Sequence, residues 1–336
     1  MPLIYRCDPA NISQLISLAI SPDDSSNEMI NAIKQHNQQL IHTTTINISR
    51  KQPPCIYVQE QEIACATHQH TDIAAQPCTS HVLIGSSDAT TCIIAGVYDP
   101  LSHTTVVAHI NRSDQSRSFI DCIHQHIHNT SAILQLHVVG SFHVDYGDKQ
   151  QTIEQATDTL QSILNICMKS HLTFQLITYL VCHLNQYVPC NQSIKQPISR
   201  QLYIDTCTGA PHINVMIDSN ARGPELTLRR CYFSSNQSHT LHDIYDTNND
   251  NVCIRPFNYQ SPYSPNIINQ LLSLSNQLYC HYCSSSPLNE TDQFVDDSRH
   301  SLLYQLQYPN STHIFNKQKP ILYQRVGRSN QWSKIQ

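Results

Sequence analysis

Glycine is scarce, with seven in 336 residues, and none falls in a G-x-G or G-x-x-x-x-G-K pattern. The dinucleotide fingerprint and the phosphate-cradling loop are therefore absent, and kinase, NTPase and dehydrogenase chemistries go with them. Charge is scarce too. Only 13% of residues are charged and the formal net charge is −5, which is not the basic footprint that nucleic acid or an anionic membrane surface selects; neither partner is expected. The opening "MPLIYRCDPANISQL" has no basic segment followed by an apolar stretch and a small-residue cleavage site, so no secretory signal is expected. The longest apolar run, "FQLITYLVCHL" from Phe174, carries Gln and His and falls short of the ~20 residues of a membrane span. A cytoplasmic or nuclear chain is expected, and the N-x-S/T sequons at Asn191 and Asn310 then carry no weight.

What remains is a chain with 40% hydrophobic residues, enough to bury a sizeable core. Its fourteen cysteines are scattered through a chain too large to need staples, and most are expected to be plain buried thiols. "SSNEMINAIKQHNQQLI" places Ser25 and Glu28 at capping-box spacing ahead of Met29, Ile30, Ile33 and Leu40, a helix pattern. The polar linker "SRKQPP" follows, then the β-rich runs "CIYVQ", "EIACA", "HVLIG", "TTCIIAGVY" and "TTVVAHI". Helices over 113–128 and 148–168 flank the strand "ILQLHVVG"; the second shows one apolar face at Ile153, Ala156, Leu160, Ile163, Leu164 and Cys167. Strands at "FQLITYLVC", "RQLYID" and "INVMI" precede helices near 225–230, 267–278 and 294–306 and a hairpin-like end, "ILYQRVGRSNQWSKI". The order predicts an α+β protein with antiparallel pairing at its centre, layered by helices.

One cysteine stands out. In "IGSSDATTC" the thiol of Cys92 follows Ser86, Ser87, Asp88, Thr90 and Thr91. The β-branched runs on either side of "DPLS" read as a hairpin with Pro100 in its turn. If Tyr98 pairs with His103, counting outward sets Cys92 directly opposite His109, where Cβ atoms lie about 4.5–5.5 Å apart on one face. A bulge would shift that register. Cys and His side by side make a nucleophile with its base. Gly96, Ala95 and Ala108 are expected to leave room for a substrate, and the segment from Ser87 to Cys92 to supply oxyanion donors. On spacing alone, in a chain with fourteen Cys and twenty His, such a pair is commonly accidental.

"IYVQEQEIA", "LIGSSDATTC", "LQLHVVGSF", "ARGPELTLR", "IRPFNYQSPYSP", "SSSPLNE" with "FVDDSRHSLLYQL", and "PILYQ" with "QWSKI" follow one another as in eukaryotic protein N-terminal asparagine amidohydrolases, which the chain resembles from about Cys55 onward. Residues 1–54 form a diverged helical segment expected to pack on the amidohydrolase domain of 55–336. The opening Met1-Pro2-Leu3 is also similar. The resemblance implies an α-β-β-α sandwich similar to bacterial chemoreceptor glutamine deamidases and the catalytic domain of cytotoxic necrotizing factor. It implies an amidase that converts an N-terminal asparagine to aspartate and releases ammonia, the new aspartate serving as a degradation signal. By the same resemblance Cys92 is the nucleophile and His109 its partner. No cofactor or metal is implied, and a monomer is expected. The chain departs from the vertebrate pattern where "VGSF" replaces a double glycine and where Asn111 stands at a position expected to carry a carboxylate.

Sparing internal asparagines requires a group that reads the free α-ammonium. Asp88, Asp114, Asp145 and Glu225 are the candidates, with Asp88 and Glu225 ranked first because they lie in the shared motifs; Ser87 and Thr91 complete the expected substrate contacts. "HQHIH" at 124–128 and "CHYC" at 280–283 have metal-like spacing but no matching second half. His137 reads as a hydrogen-bonded core residue and Trp332 as an anchor for the last strand. Three classes stay open: the asparagine amidase, a thiol deamidase or transglutaminase acting on glutamine, and a catalytically silent binding protein of the same fold.

Overall fold

The computed structural model describes residues 5–6, 13–15, 28–44, 53–68, 81–142, 149–187 and 196–335, apart from 214, 216, 219–220, 236–238, 285–286, 288–289, 316–317 and 328. Ser25, Asp145, Asn191 and the Met1-Pro2-Leu3 start lie outside those residues. Helix α1 (Glu28–Thr44) precedes strands β1 (Cys55–Tyr57), β2 (Glu62–Thr67), β3 (Leu83–Ala89), β4 (Ile93–Asp99) and β5 (Thr104–Ile110). Next come α2 (Ser116–His126), β6 (Ile133–Gly140), α3 (Lys149–Lys169), β7 (Thr173–Val181), β8 (Arg200–Asp205) and β9 (Pro211–Ile213). The C-terminal part holds α4 (Leu226–Arg230), β10 (Asn251–Ile254), α5 (Pro265–Leu272), α6 (Asn276–Cys283), α7 (Asp292–Gln307), β11 (Ile321–Arg325) and β12 (Trp332–Lys334).

Three sheets organise these strands. A seven-stranded sheet runs Tyr5–Arg6, β7, β6, β4, β5, β2, His242–Asp243; a four-stranded sheet runs β9, β8, β3, β1; a third runs Tyr245–Asp246, β10, β11, β12. Pairing is mostly antiparallel, with β6–β7, β1–β3 and the pair of β2 with His242–Asp243 parallel. The seven-stranded sheet is buried on both faces. Against one, Phe119 and Ile123 of α2 and Leu160 and Leu164 of α3 pack on Ile93, Ala95, Val106 and Ala108. Against the other, Ile94, Val107 and Val139 meet Ile84, Leu202 and Ile204 of the four-stranded sheet. Each of the larger side chains, the alanines apart, contributes about 1.5–3 kcal/mol by leaving water, and together they hold the central strands in register. The α+β architecture with mostly antiparallel sheets agrees with the sequence pattern. Helix α1 docks on β7, where Asn37 Nδ2 donates to the Tyr179 carbonyl at 2.6 Å and His36 Nε2 lies 3.0 Å from that of Ile177.

Two expectations about elements are corrected. The single helix over 267–278 is two helices, because the Ser275 side chain accepts from Leu278 N–H and caps a new helix there. The hairpin pairs Asp99 with Thr104, not Tyr98 with His103. Asp99 folds its carboxylate into the turn, accepting from Leu101 N–H at 2.9 Å and from the Ser102 hydroxyl at 2.6 Å. That draws Asp99 into the strand end and leaves His103, at φ 50, to close the loop. Among the described cysteines ten are free thiols, and Cys207 is the exception, being disulfide-bonded.

Candidate active site

The architecture brings two crossings together at one end of the sandwich. Strands β1 and β3 lie side by side and parallel in the four-stranded sheet, and each passes directly into the seven-stranded sheet: β1 into β2 through residues 58–61, β3 into β4 through residues 90–92. Their destinations flank β5, whose C-terminal end carries His109 to the same place. Glu60 sits on the first crossing and Cys92 on the second. The Gln61 N–H donates to the His109 carbonyl at 2.8 Å, tying crossing to strand.

Ile94, not Cys92, stands opposite His109. The corrected register is two residues from the expected one, and because side chains alternate with period two the face is preserved. Ile94 points into the inter-sheet core, so His109 does as well, and Cys92 precedes Ile94 by two. Diagonal neighbours of this kind lie about 7–8 Å apart on one face, within reach of longer side chains. His109 is 4% exposed.

The proton on His109 can be placed. The Ser86 hydroxyl donates to the Val58 carbonyl at 2.5 Å and lies 2.7 Å from His109 Nδ1. A hydroxyl has one proton, and a carbonyl can only accept. Nδ1 must therefore donate to Ser86, which leaves Nε2 as the lone-pair nitrogen, buried and without a hydrogen-bond partner among the described residues. Burial holds this imidazole below the usual histidine range, with the Glu60 and Asp88 carboxylates opposing it.

The Cys92 Sγ–H donates to Glu60 Oε1 at 3.2 Å, and Asn111 Nδ2 donates to the same oxygen at 2.9 Å. Cys92 is partly buried. Burial pushes its thiol well above the ordinary value, Glu60 adds to the push by charge and by hydrogen bond, Thr91 opposes it by a hydrogen bond, and Glu290 adds a smaller repulsion. The backbone at Cys92 is pinned: its carbonyl accepts from Ser141 N–H at 2.6 Å.

The other sequence candidates are dispersed. Ser87 points to the opposite face of β3, its hydroxyl 2.6 Å from Tyr203 OH. Asp88, at φ 64, is exposed and paired with Arg222 at 3.0 Å. Glu225 accepts from Tyr323 OH. Asp114 pairs with Arg112 at 2.8 Å on the surface. Thr91 alone of this group contacts Cys92. The space expected beside the pair is also corrected. A Cβ at Gly96 would meet Ile204 Cδ1 at 2.5 Å, so the other sheet occupies that place, and Ala95 and Ala108 face the helices.

Glu60 is the residue the sequence reading missed. Its neighbour Glu62 does structural work: fully buried, it takes a two-pronged contact from Arg229, Nε to Oε1 at 2.9 Å and Nη2 to Oε2 at 2.5 Å, while Oε2 also accepts from Gln59 N–H at 2.7 Å. This fastens the "ARGPELTLR" segment under the 58–61 crossing. Among the described residues no three His, Cys, Asp or Glu side chains form a group that could hold a metal ion. His124 instead bonds Ser170 and stacks on His171. His137 lies buried with Nδ1 2.9 Å from Thr178 Oγ1, and Trp332 packs beneath Arg325 at 4.2 Å. Among the described residues no helix is long and apolar enough to cross a membrane.

The family model described as Protein N-terminal asparagine amidohydrolase matches residues 26–334, a stretch that takes in α1, where the motifs alone began near Cys55. The chain is 25% identical to the human Protein N-terminal asparagine amidohydrolase over 291 residues, covering 83% of this chain and 84% of that one. It is likewise 25% identical to the proteins of the same name from Sus scrofa, over 80% of each chain, and from Arabidopsis thaliana, over 72% of this chain and 73% of that one.

Proposed function

Because this chain belongs to the protein N-terminal asparagine amidohydrolase family, we propose that it hydrolyses the side-chain amide of an N-terminal asparagine in proteins or peptides, with Cys92 as nucleophile and His109 as base. The observation that supports this assignment of roles is the His109 Nε2 lone pair, buried and unbonded among the described residues at the end of β5, beside the crossing that carries Cys92. His109 takes the thiol proton at Nε2, and the sulfur attacks the amide carbon. The oxyanion falls to backbone donors of the 90–92 crossing, since Ser87 and Asp88 are engaged elsewhere. His109 then protonates the leaving nitrogen, ammonia departs and a thioester remains. Water attacks the thioester as His109 receives its proton; aspartate is released and the thiol regains its hydrogen.

The product is a chain beginning with aspartate, which we take to be a degradation signal in the cytoplasm. The ten free thiols support a reducing compartment; the Cys207 disulfide is the opposing observation. Ammonia release tests the reading: an Asn-first peptide reacts while its Gln-first and N-acetylated versions do not, and Cys92→Ala abolishes turnover. Full activity in Cys92→Ala would remove the proposed nucleophile, and reaction at an internal glutamine would move the enzyme to a different substrate class.

A further inference from the structure

Resting on Cys92 as nucleophile, we propose that Glu60 is the receptor for the substrate's α-ammonium group, and that until this group arrives Glu60 holds the thiol away from His109. Of the other carboxylates considered for this task, Asp145 lies outside the described residues and three are engaged: Asp88 with Arg222, Asp114 with Arg112, Glu225 with Tyr323. Glu60 differs. Among the described residues its partners are the Cys92 thiol and the Asn111 amide, neither of which carries a positive charge. A partly buried carboxylate without a counter-ion is a site prepared for a cation.

The distances suit one small molecule. Three bonds separate the α-nitrogen of asparagine from its side-chain amide carbon, so these atoms lie about 3–4 Å apart. The Glu60 oxygen and the Cys92 sulfur are 3.2 Å apart. An ammonium at hydrogen-bond distance from that oxygen thus sets the amide carbon at about 3–3.5 Å from the sulfur, an attacking position. Glutamine carries the carbon one bond farther and overshoots. An internal or acetylated asparagine brings no charge. Arrival of the ammonium also displaces Sγ–H from Glu60 and cancels the charge that favours the protonated thiol, so the proton turns to His109 Nε2. Recognition of a free N-terminus and release of the nucleophile become one event.

Two measurements on the full chain, wild type and Glu60→Gln, test this. One is ammonia release from an Asn-first peptide and its N-acetylated version; the other is the pH dependence of Cys92 alkylation by iodoacetamide without peptide, with Cys92→Ala as background. Glu60→Gln is expected to lower kcat/KM for the free-amine peptide about 10–100-fold, mainly through KM, to shrink the preference over the acetylated peptide, and to move the alkylation midpoint to lower pH. Glu60→Asp, which keeps the charge, retains the preference, and serves if Glu60→Gln does not fold. An unchanged preference or an unchanged midpoint in folded Glu60→Gln overturns the proposal and leaves the chemistry of Cys92 standing. A wild-type protein that releases no ammonia from Asn-first peptides overturns the functional reading, and this inference with it.

Discussion

Ser86 Oγ lies 2.7 Å from His109 Nδ1 while giving its own proton to the Val58 carbonyl, and this single contact decides which imidazole nitrogen can act as a base. Without it the proton is free to sit on Nε2, the nitrogen that the proposed mechanism needs bare. Ser86→Ala is expected to lower kcat about 10–100-fold with little change in KM. It also leaves the Val58 carbonyl short of a donor, at a cost of about 1–3 kcal/mol. Steady-state kinetics beside a urea unfolding curve separate the two effects; an unchanged kcat would show that the tautomer is fixed by something else.

Acid pH is expected to remove activity and stability in the same direction. Burial depresses the pKa of His109, and in the proposed role as base it works only when neutral. kcat/KM therefore holds its value to below about pH 6.5 and falls as pH drops through the lowered pKa. For stability, His137 and His242 are pushed down to about 3, chiefly by burial, with the Arg229 and Arg255 cations assisting at His242. Unfolded histidine takes up its proton near 6.5, so between these values the unfolded chain binds more protons than the folded one. Their contribution is fully present above about pH 6.5 and is lost as pH falls toward 3. Urea midpoints at pH 7, 5 and 4 should decline in that order. Equal midpoints would mean that these rings are not buried in neutral form.

Glu62 and Arg229 form a pair that is worth little as an attraction and costs much to break. Both are buried, so removing one charge strands the other, at about 3–5 kcal/mol. Glu62→Gln should lower stability by that order and, because Glu62 also accepts from Gln59 N–H, loosen the crossing that carries Glu60. We expect a rise in KM for Asn-first peptides larger than any fall in kcat. Thermal unfolding and kinetics on the same preparation check both halves; a stable, fully active Glu62→Gln would deny the pair its positioning role.

These residues also show what could be read from the chain. The strands beside Cys92 and His109 are legible because β-branched runs bounded by turn residues are local signals, and a register two residues from the expected one leaves each β5 side chain on its expected face because alternation has period two. The error itself came from Asp99, whose side chain closes the turn on Leu101 and Ser102, a contact that composition does not reveal. Glu60 was hidden for a different reason. It lies on a crossing between sheets, 32 positions from the thiol it touches, and nothing in "VQEQE" distinguishes it from Glu62. A signal did exist: Asn111 occupies a place where a carboxylate was expected, and its amide points to the carboxylate of Glu60. Asp88 and Glu225, which lie in the shared motifs, pair with Arg222 and Tyr323.

The last prediction concerns the two residues beneath Cys92, where adjacent substitutions should act differently. Gly140 has φ 99, and a Cβ there would stand 2.4 Å from the Cys92 carbonyl oxygen and 3.0 Å from Ala89 Cβ. Neither neighbour is the flexible end of a side chain, so Gly140→Ala must shift the Cys92 backbone and also accept a strained conformation, costing about 2 kcal/mol or more. Activity should fall further than stability, since a small displacement of an attacking atom is amplified in rate. Ser141, the next residue, has φ 57 and fills the second position of the expected double glycine. Its backbone N–H holds the Cys92 carbonyl and, among the described residues, its hydroxyl accepts a long contact from Cys182 at 3.6 Å. Ser141→Gly keeps the first contact and relieves the left-handed backbone, so stability should stay level or rise by up to about 1 kcal/mol, with activity retained. Paired unfolding curves decide it, and a harmless Gly140→Ala would mean that Cys92 is not braced from below.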